Sequence, residues 1–423
     1  MGRTPRTRAG RRLLTSMAAL VAMAPMIAGC GAEDNGKTIN VYYPAEQKFS
    51  EVVAACNVAA EGRYEIVLNV LPREADGQRE QMVRRLAAGD ADMDVLGLDV
   101  TWMAEFAEAG WIEEWTGRDK ADAENGTLEG PLATARWKDK LYAAPKNTNV
   151  QLLWYRDDLV QRPPKTWAEM LDMARELKAG GKPSTILMTG AQYEGLVVQF
   201  NTLVAGAGGK ILSDDSTRAV VDEGAVRALG ALKDLATSGV VSPSLSNSKE
   251  DDIRLAFESG DAAFELNWPF VYAAMKEGNP ELFPKFKWAP YPSIEPGNEG
   301  TVTIGGFNLA VSAYSANKPE AFEATKCLRS AESQKMSALL SGVPPTIESV
   351  YDEPEMAEPY PMRDTIREEL KKAAVRPITP AYQNVSTLIS TILSPPSSID
   401  PEATAERLRG ELQDALDSKG VLP

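Results

Sequence analysis

The sequence predicts an α/β protein of two lobes, joined by a hinge of several strands, with a ligand cleft between them. Three observations carry this. Short apolar runs alternate with helix-length amphipathic segments on both sides of residue 150, the pattern of strands linked by crossover helices. The alternation breaks where one extended run succeeds another with no helix between, at 141–145 with 151–155 and at 287–291 with 301–311. Gly342-Val343-Pro344-Pro345 then stops a long helix and offers a third crossing. A strand passing straight into another strand takes the chain from one lobe to the next, and ligands bind between lobes so joined.

Taken in order, 39–43 reads as a strand, 49–60 as a helix, 64–71 as a strand, and 78–88 as a helix ended by Gly89. The run 94–98 is a buried strand with Asp99 as cap for the next helix, and this half predicts a largely parallel sheet. After the first crossing come helix 167–178, strand 185–189, helix 194–207, a glycine-rich hairpin at Gly208-Gly209, and helices 225–237 and 251–258. Strand 262–266 and helix 270–276 precede the second crossing; helix 319–340 and helices near 363–372, 385–393 and 401–416 complete the chain. The implied division is 38–148 plus 304–335 for lobe I and 149–303 plus 336–423 for lobe II.

Residues 1–29 are not fold. An arginine-rich start, an apolar run broken by Pro25, and Ile27-Ala28-Gly29-Cys30 read as a lipoprotein signal peptide, with Cys30 the lipidated first residue and 30–37 a tether. Multiple acyl chains hold a protein at a membrane where one does not. The full-chain charge of −15 includes five arginines before Cys30, so the mature chain carries −20. Nucleic acid and anionic surfaces would be repelled. The chain has no His, which removes Ser-His-Asp and Cys-His catalysis and the usual zinc sites; no cofactor or metal is expected. Beyond Cys30, Cys56 and Cys327 remain, an even pair that suggests one disulfide outside the cytoplasm, with two separate buried thiols as the alternative.

The stretch Phe257-Glu258-Ser259-Gly260-Asp261-Ala262-Ala263-Phe264-Glu265-Leu266-Asn267-Trp268-Pro269-Phe270 ends a helix, makes a short apolar strand, and leaves Trp268 at the strand's carboxyl end, where ligands of open α/β sheets collect. This stretch resembles the signature segment of the solute-binding proteins of bacterial sugar ABC transporters, the maltose-binding-like family. Leu98-Asp99-Val100-Thr101-Trp102, Ala144-Pro145-Lys146-Asn147-Thr148-Asn149, Ile304-Gly305-Gly306-Phe307-Asn308 and Val375-Arg376-Pro377 resemble its actinobacterial trehalose-binding lipoproteins in particular. Relative to mycobacterial members, this chain is shorter between Met275 and Pro290. The resemblance implies a periplasmic-binding-protein-like fold with an interlobe cleft.

A neutral sugar offers hydroxyls that both donate and accept, and ring faces with apolar C–H patches. The resemblance implies that Trp268 stacks on a sugar ring and that Asp99, Asn149, Glu250 and Arg376 bond hydroxyls, with Glu46 after the first strand, Tyr193 before helix 194–207, and Gly306 in the second crossing completing the set. Each has a plainer role. Trp268 reads as core, Asp99 and Glu250 as helix caps, Asn149 as a turn former, Arg376 as half of an ion pair, and Gly306 as a hinge angle. The expected function is an extracytoplasmic, monomeric, lipid-anchored protein that binds trehalose or a related disaccharide for ABC permease subunits with a separate ATPase. Maltose, a polyol or glycerol phosphate is the alternative ligand, and a glycoside-acting enzyme the remote alternative. No Walker loop is present, and Gly206-x-Gly208-Gly209 ends a helix where a dinucleotide fingerprint would open one.

Overall fold

Two five- and four-stranded sheets, each with its own apolar core, are connected by strands that run from one into the other. The computed structural model describes residues 37–419; the expected signal peptide, Cys30 and all but Lys37 of the expected tether lie outside the described residues. The strands that make the two sheets are β1 (Lys37–Pro44), β2 (Tyr64–Leu71), β3 (Val95–Asp99), β4 (Ala144–Asn149), β5 (Leu152–Arg156), β6 (Thr185–Leu187), β7 (Ala262–Asn267), β8 (Phe286–Ala289) and β9 (Gly305–Val311).

The first sheet has the order β2-β1-β3-β9-β4 and the second β8-β5-β7-β6. β1 pairs in parallel with β2 and β3, as crossover helices require. β9 is antiparallel to β3 and β4, and in the second sheet only β6 and β7 are parallel. Both sheets are therefore mixed. The cause is the crossings themselves, since a strand that enters a sheet without a crossover helix arrives in the opposite sense. One core gathers residues from Ile39 to Ala144 and from Leu309 to Leu328; the other gathers Val150 to Ile304 and Ala338 to Ala415. The chain thus passes between cores at Val150-Gln151, just ahead of β9, and within helix Ala331–Ser341. The chain just beyond the third passage braces the first, because Thr148 N–H donates to the Pro344 carbonyl at 3.0 Å.

Several local expectations are corrected. The predicted helix 319–340 is two helices, Lys318–Leu328 and Ala331–Ser341, because Ser330 leaves helical geometry and its hydroxyl accepts from Ser333 N–H at 3.2 Å as a fresh cap. The run 301–311 is strand only from Gly305. Short helices at Met103–Glu108, Gly117–Glu124 and Glu129–Thr134 were not visible as periodic segments, being under three turns long. Asp99 does not cap the helix after it. Its Oδ1 accepts from Thr101 N–H at 3.0 Å and from the Thr101 hydroxyl at 2.8 Å, closing a turn at the end of β3.

Cys56, on helix Phe49–Ala60, and Cys327, on helix Lys318–Leu328, are disulfide-bonded with Cα atoms 5.9 Å apart and a sequence separation of 271. Both helices belong to the first core, so the bond does not tie the lobes together. Replacing both cysteines by serine is expected to cost about 2–5 kcal/mol of stability. Urea denaturation with and without reductant measures this, and ligand affinity should be unchanged.

Candidate functional site

Contacts among the predicted residues close into a ring between the two cores. Asp99 ends β3, pairs with Phe307 of β9, and leads into Val100, whose N–H donates to the Gly306 carbonyl at 3.2 Å. Gly306 takes φ +126°, and a Cβ there would lie 2.4 Å from the Asn147 carbonyl oxygen, so the second crossing admits only glycine at this point. Its neighbour Gly305 pairs with Asn149 at the end of β4. A Cβ on Gly305 would sit 3.1 Å from the Trp268 ring and 3.4 Å from Asn149 Cβ; bare backbone is what lets the aromatic reach across.

The ring continues through the second lobe. Trp268 is half-buried at the carboxyl end of β7. Glu250 accepts from the Tyr193 hydroxyl at 2.5 Å. Burial raises the Glu250 carboxyl above its ordinary value, opposed by donation from the Tyr193 hydroxyl and the Trp268 indole. Glu250 is therefore no solvated cap: helix Glu250–Glu258 is capped by Lys249, whose N–H donates to Asp252 Oδ2 at 3.0 Å. Tyr193 is buried, and the next residue, Glu194, opens helix Glu194–Gly206. Arg376 closes the circuit. Its Nη1 lies 2.5 Å from Glu194 Oε1 and its Nη2 lies 3.2 Å from Asp99 Oδ1.

Arg376 is only 3% exposed, so it is not a surface ion pair. Burial by itself would lower its guanidinium, but Asp99, Tyr382 and Glu194 outweigh that and hold it above its ordinary value. Glu194 is pushed up by burial and pulled back by Arg376, and it also accepts from Tyr382 at 2.5 Å and from Ser386. Glu46 stands beside the ring, its Oε2 bonded to Lys146, which is wholly buried, bonds Ser337 Oγ at 3.2 Å and lies over the Tyr43 and Phe49 rings. Burial lowers the Lys146 ammonium against the opposing pull of Glu46.

Three of these residues carry buried polar atoms with no partner among the described residues: Glu46 Oε1, Asn149 Oδ1 and Arg376 Nε. Outside the ring, charged residues meet across the two lobes. Arg73 pairs with Asp251 at 2.5 Å, Lys249 with Glu74 at 2.8 Å, and Lys48 with Glu277 at 3.5 Å. The first-lobe members of these pairs come just after β1 and β2, the strands farthest in the sheet from the crossing strands β9 and β4, so the pairs span the side opposite the hinge. Two surface cavities lie apart from the ring. One of about 440 Å³ runs from Leu159 to Lys182, and one of about 330 Å³ runs along Ala374–Ile378 and touches the ring only at Arg376.

Sequence reasoning missed Glu194, Gly305 and Lys146. An acid in the first turn of a helix ordinarily faces solvent, and nothing local marks Glu194 as buried. Gly305 differs from Gly306 only in what approaches it. Among the described residues no cluster of metal-ligating side chains occurs, and no helix is long and apolar enough to cross a membrane.

A family model described as bacterial extracellular solute-binding protein matches residues 46–335. The chain belongs to that family. The "Probable ABC transporter-binding protein" of Deinococcus radiodurans is 30% identical over 344 residues, covering 76% of this chain and 79% of that protein. Among solved structures, maltose-bound MalE3 of T. maritima superposes with a TM-score of 0.82 at 28% identity, over 89% of this chain and 99% of that one. The GacH receptor of Streptomyces glaucescens, solved unliganded and with acarbose, shares the fold at a TM-score of 0.80 and 22% identity, over 91% and 100%. The solute-binding protein is thus a two-domain α/β molecule of the maltose-binding type, a binding protein and not an enzyme.

In this solute-binding protein Arg376→Met leaves Glu194 buried without its cation and is expected to destabilise by about 3–5 kcal/mol, with Glu194→Gln in the same background recovering much of the loss. Chemical denaturation of the single and double variants checks it. Glu265, wholly buried on β7, is raised by burial from 4.5 to about 8. The folded protein holds this proton more tightly than the unfolded chain, so the contribution is full below about pH 4.5 and is lost as pH rises to about 8. Stability measured from pH 4.5 to 8.5 should fall more steeply in the wild type than in Glu265→Gln, by a difference on the order of 4 kcal/mol.

Proposed function

We propose that this chain is an extracytoplasmic solute-binding protein, lipid-anchored through Cys30, that closes lobe I (38–148 plus 304–335) and lobe II (149–303 plus 336–423) on a disaccharide, trehalose above others. It then delivers the sugar, as a monomer, to ABC permease subunits driven by a separate ATPase. The observation that carries this reading is the set of unpartnered polar atoms on Asn149 and Arg376, held in one ring with a half-buried tryptophan, and on Glu46 beside it. Each such atom costs about 1–3 kcal/mol when left unpaired. A hydroxyl-rich ligand removes that cost, donating to Glu46 Oε1 and Asn149 Oδ1 and accepting from Arg376 Nε, while Trp268 covers a ring face.

Maltose in MalE3 supports a sugar ligand. The resemblance of Glu250 and Arg376 to contacting positions of the actinobacterial trehalose-binding lipoprotein LpqY supports trehalose. Glycerol phosphate fits less well, because Arg376 is already matched by Asp99 and Glu194 and a phosphate would meet both carboxylates.

Calorimetric titration of the mature, unlipidated protein with trehalose, maltose and glycerol phosphate tests this. Saturable binding of trehalose is expected, weakened about tenfold or more in Trp268→Ala. Heat from maltose or glycerol phosphate but none from trehalose would sink the assignment of the sugar while leaving the fold intact.

A further inference from the structure

Asn267 lies outside the ring yet reaches two of its members. It is wholly buried at the last paired position of β7, opposite Leu152. Its Oδ1 accepts from Trp268 N–H at 2.8 Å, and its Nδ2 donates to the Glu250 carbonyl at 3.1 Å. The backbone beyond Asn267 has left the ladder, so this side chain supplies the bond that a neighbouring strand would have given Trp268. Nδ2 also donates to Glu265 Oε1 at 2.7 Å, two residues back on the same face of the strand. The Asn267 carbonyl is held in turn by the Trp154 indole N–H at 2.9 Å.

Glu265 is hard to explain as core. The position is fully buried on a strand whose residues other than Asn267 are Ala, Phe and Leu, and an apolar residue would fill it without the cost of burying a carboxyl. Among the described residues its one side-chain bond is to Asn267, and Oε2 has no partner. The charged groups that act on it, Arg254 and Glu258 of the adjoining helix, bond each other at 2.6 Å and not Glu265. What Glu265 does is fix the amide of Asn267 in one orientation, Nδ2 inward and Oδ1 toward Trp268.

We propose that Asn267, locked by Glu265, is a positioning residue that sets the Trp268 ring against the Glu250 carboxylate, and so fixes which disaccharide the cleft accepts. It rests on the reading of Trp268 and Glu250 as sugar contacts. A ring face and a hydroxyl acceptor held at one mutual angle select for a sugar whose hydroxyl stands at the matching angle from its apolar face.

The test is titration of trehalose and maltose into the mature protein carrying Asn267→Asp, Glu265→Gln, the pair together, and Glu265→Leu, beside wild type and Trp268→Ala. Asn267→Asp removes the donor and faces Glu265 with a second acid, and should weaken binding about tenfold or more. Glu265→Gln alone should bind within about threefold of wild type. Measured at pH 9, where Glu265 is ionised, Glu265→Gln added to Asn267→Asp should restore part of the loss, since the introduced amide donates to the introduced carboxylate while the Glu250 carbonyl stays without its donor. Glu265→Leu should weaken binding while leaving the melting temperature equal or higher, a split that a residue serving only stability would not give. It also carries the test if Asn267→Asp does not fold. The proposal is overturned if Trp268→Ala weakens binding but Asn267→Asp and Glu265→Leu do not, or if the double variant is no better than Asn267→Asp at pH 9. If neither sugar binds wild type, or Trp268→Ala binds as wild type does, the reading of the site fails and this inference falls with it.

Discussion

A guanidinium taken out of water must be matched by carboxylates, and Arg376 finds one in each half of the molecule. Asp99 stands at the end of a first-lobe strand and Glu194 at the start of a second-lobe helix, while Arg376 itself comes from the segment whose Ala374 pairs with Thr303. Leaving any of the three unpaired in the interior costs several kcal/mol, far more than any exposed ion pair returns. The relative placement of the lobes around the ring is therefore governed by a buried charge balance. The pairs that span the side opposite the hinge, Arg73 with Asp251 and Lys249 with Glu74, are largely exposed and contribute little individually.

The strands that connect the lobes supply the complementary freedom. Two of the passages are single extended segments, at Val150-Gln151 and just ahead of β9. A ligand shifts such a hinge only by binding its closed form better than its open form. In the proposed function that difference comes from contacts drawn from both lobes at once: Glu46 and Asp99 from one, Glu250, Trp268 and Arg376 from the other, with Asn149 at the crossing between them. The disulfide between Cys56 and Cys327 stiffens one lobe and leaves the hinge alone.

Much of this was legible in sequence because it is local. Helix Trp167–Ala179 announces itself by apolar spacing and by Thr166, whose side chain accepts from Glu169 N–H, and β1 to β3 by their runs between turn residues. The crossings were legible because a missing helix is also a local sign. What was not legible is which polar residues go inside. β7 reads as an apolar strand, yet Glu265 and Asn267 are as buried as Phe264 and Leu266, since both faces of this strand are covered. Glu194 looks like an ordinary first-turn acid until Arg376, 182 residues away, is brought to it. The break at Ser330 was legible in principle, as a serine cap inside a helical run, but apolar periodicity on both sides concealed it.

Charge also narrows what the ring admits. Four carboxylates, those of Glu46, Asp99, Glu194 and Glu250, are set around two cations, Arg376 and Lys146. Both cations are already engaged, Arg376 by two acids and Lys146 by Glu46, so neither is free to neutralise an anion. An anionic solute would have to displace one of these pairs and strand a buried acid, at a cost comparable to its own binding energy. A cation would be welcomed by charge and by the Trp268 face, but an ammonium only donates and would leave the buried Arg376 Nε donor without an acceptor. A neutral polyhydroxyl ring incurs neither cost: it completes the orphaned acceptors and the Arg376 Nε donor without disturbing the pairs that hold the lobes. The ring's charge arrangement and its aromatic wall thus select the same chemical class by independent routes.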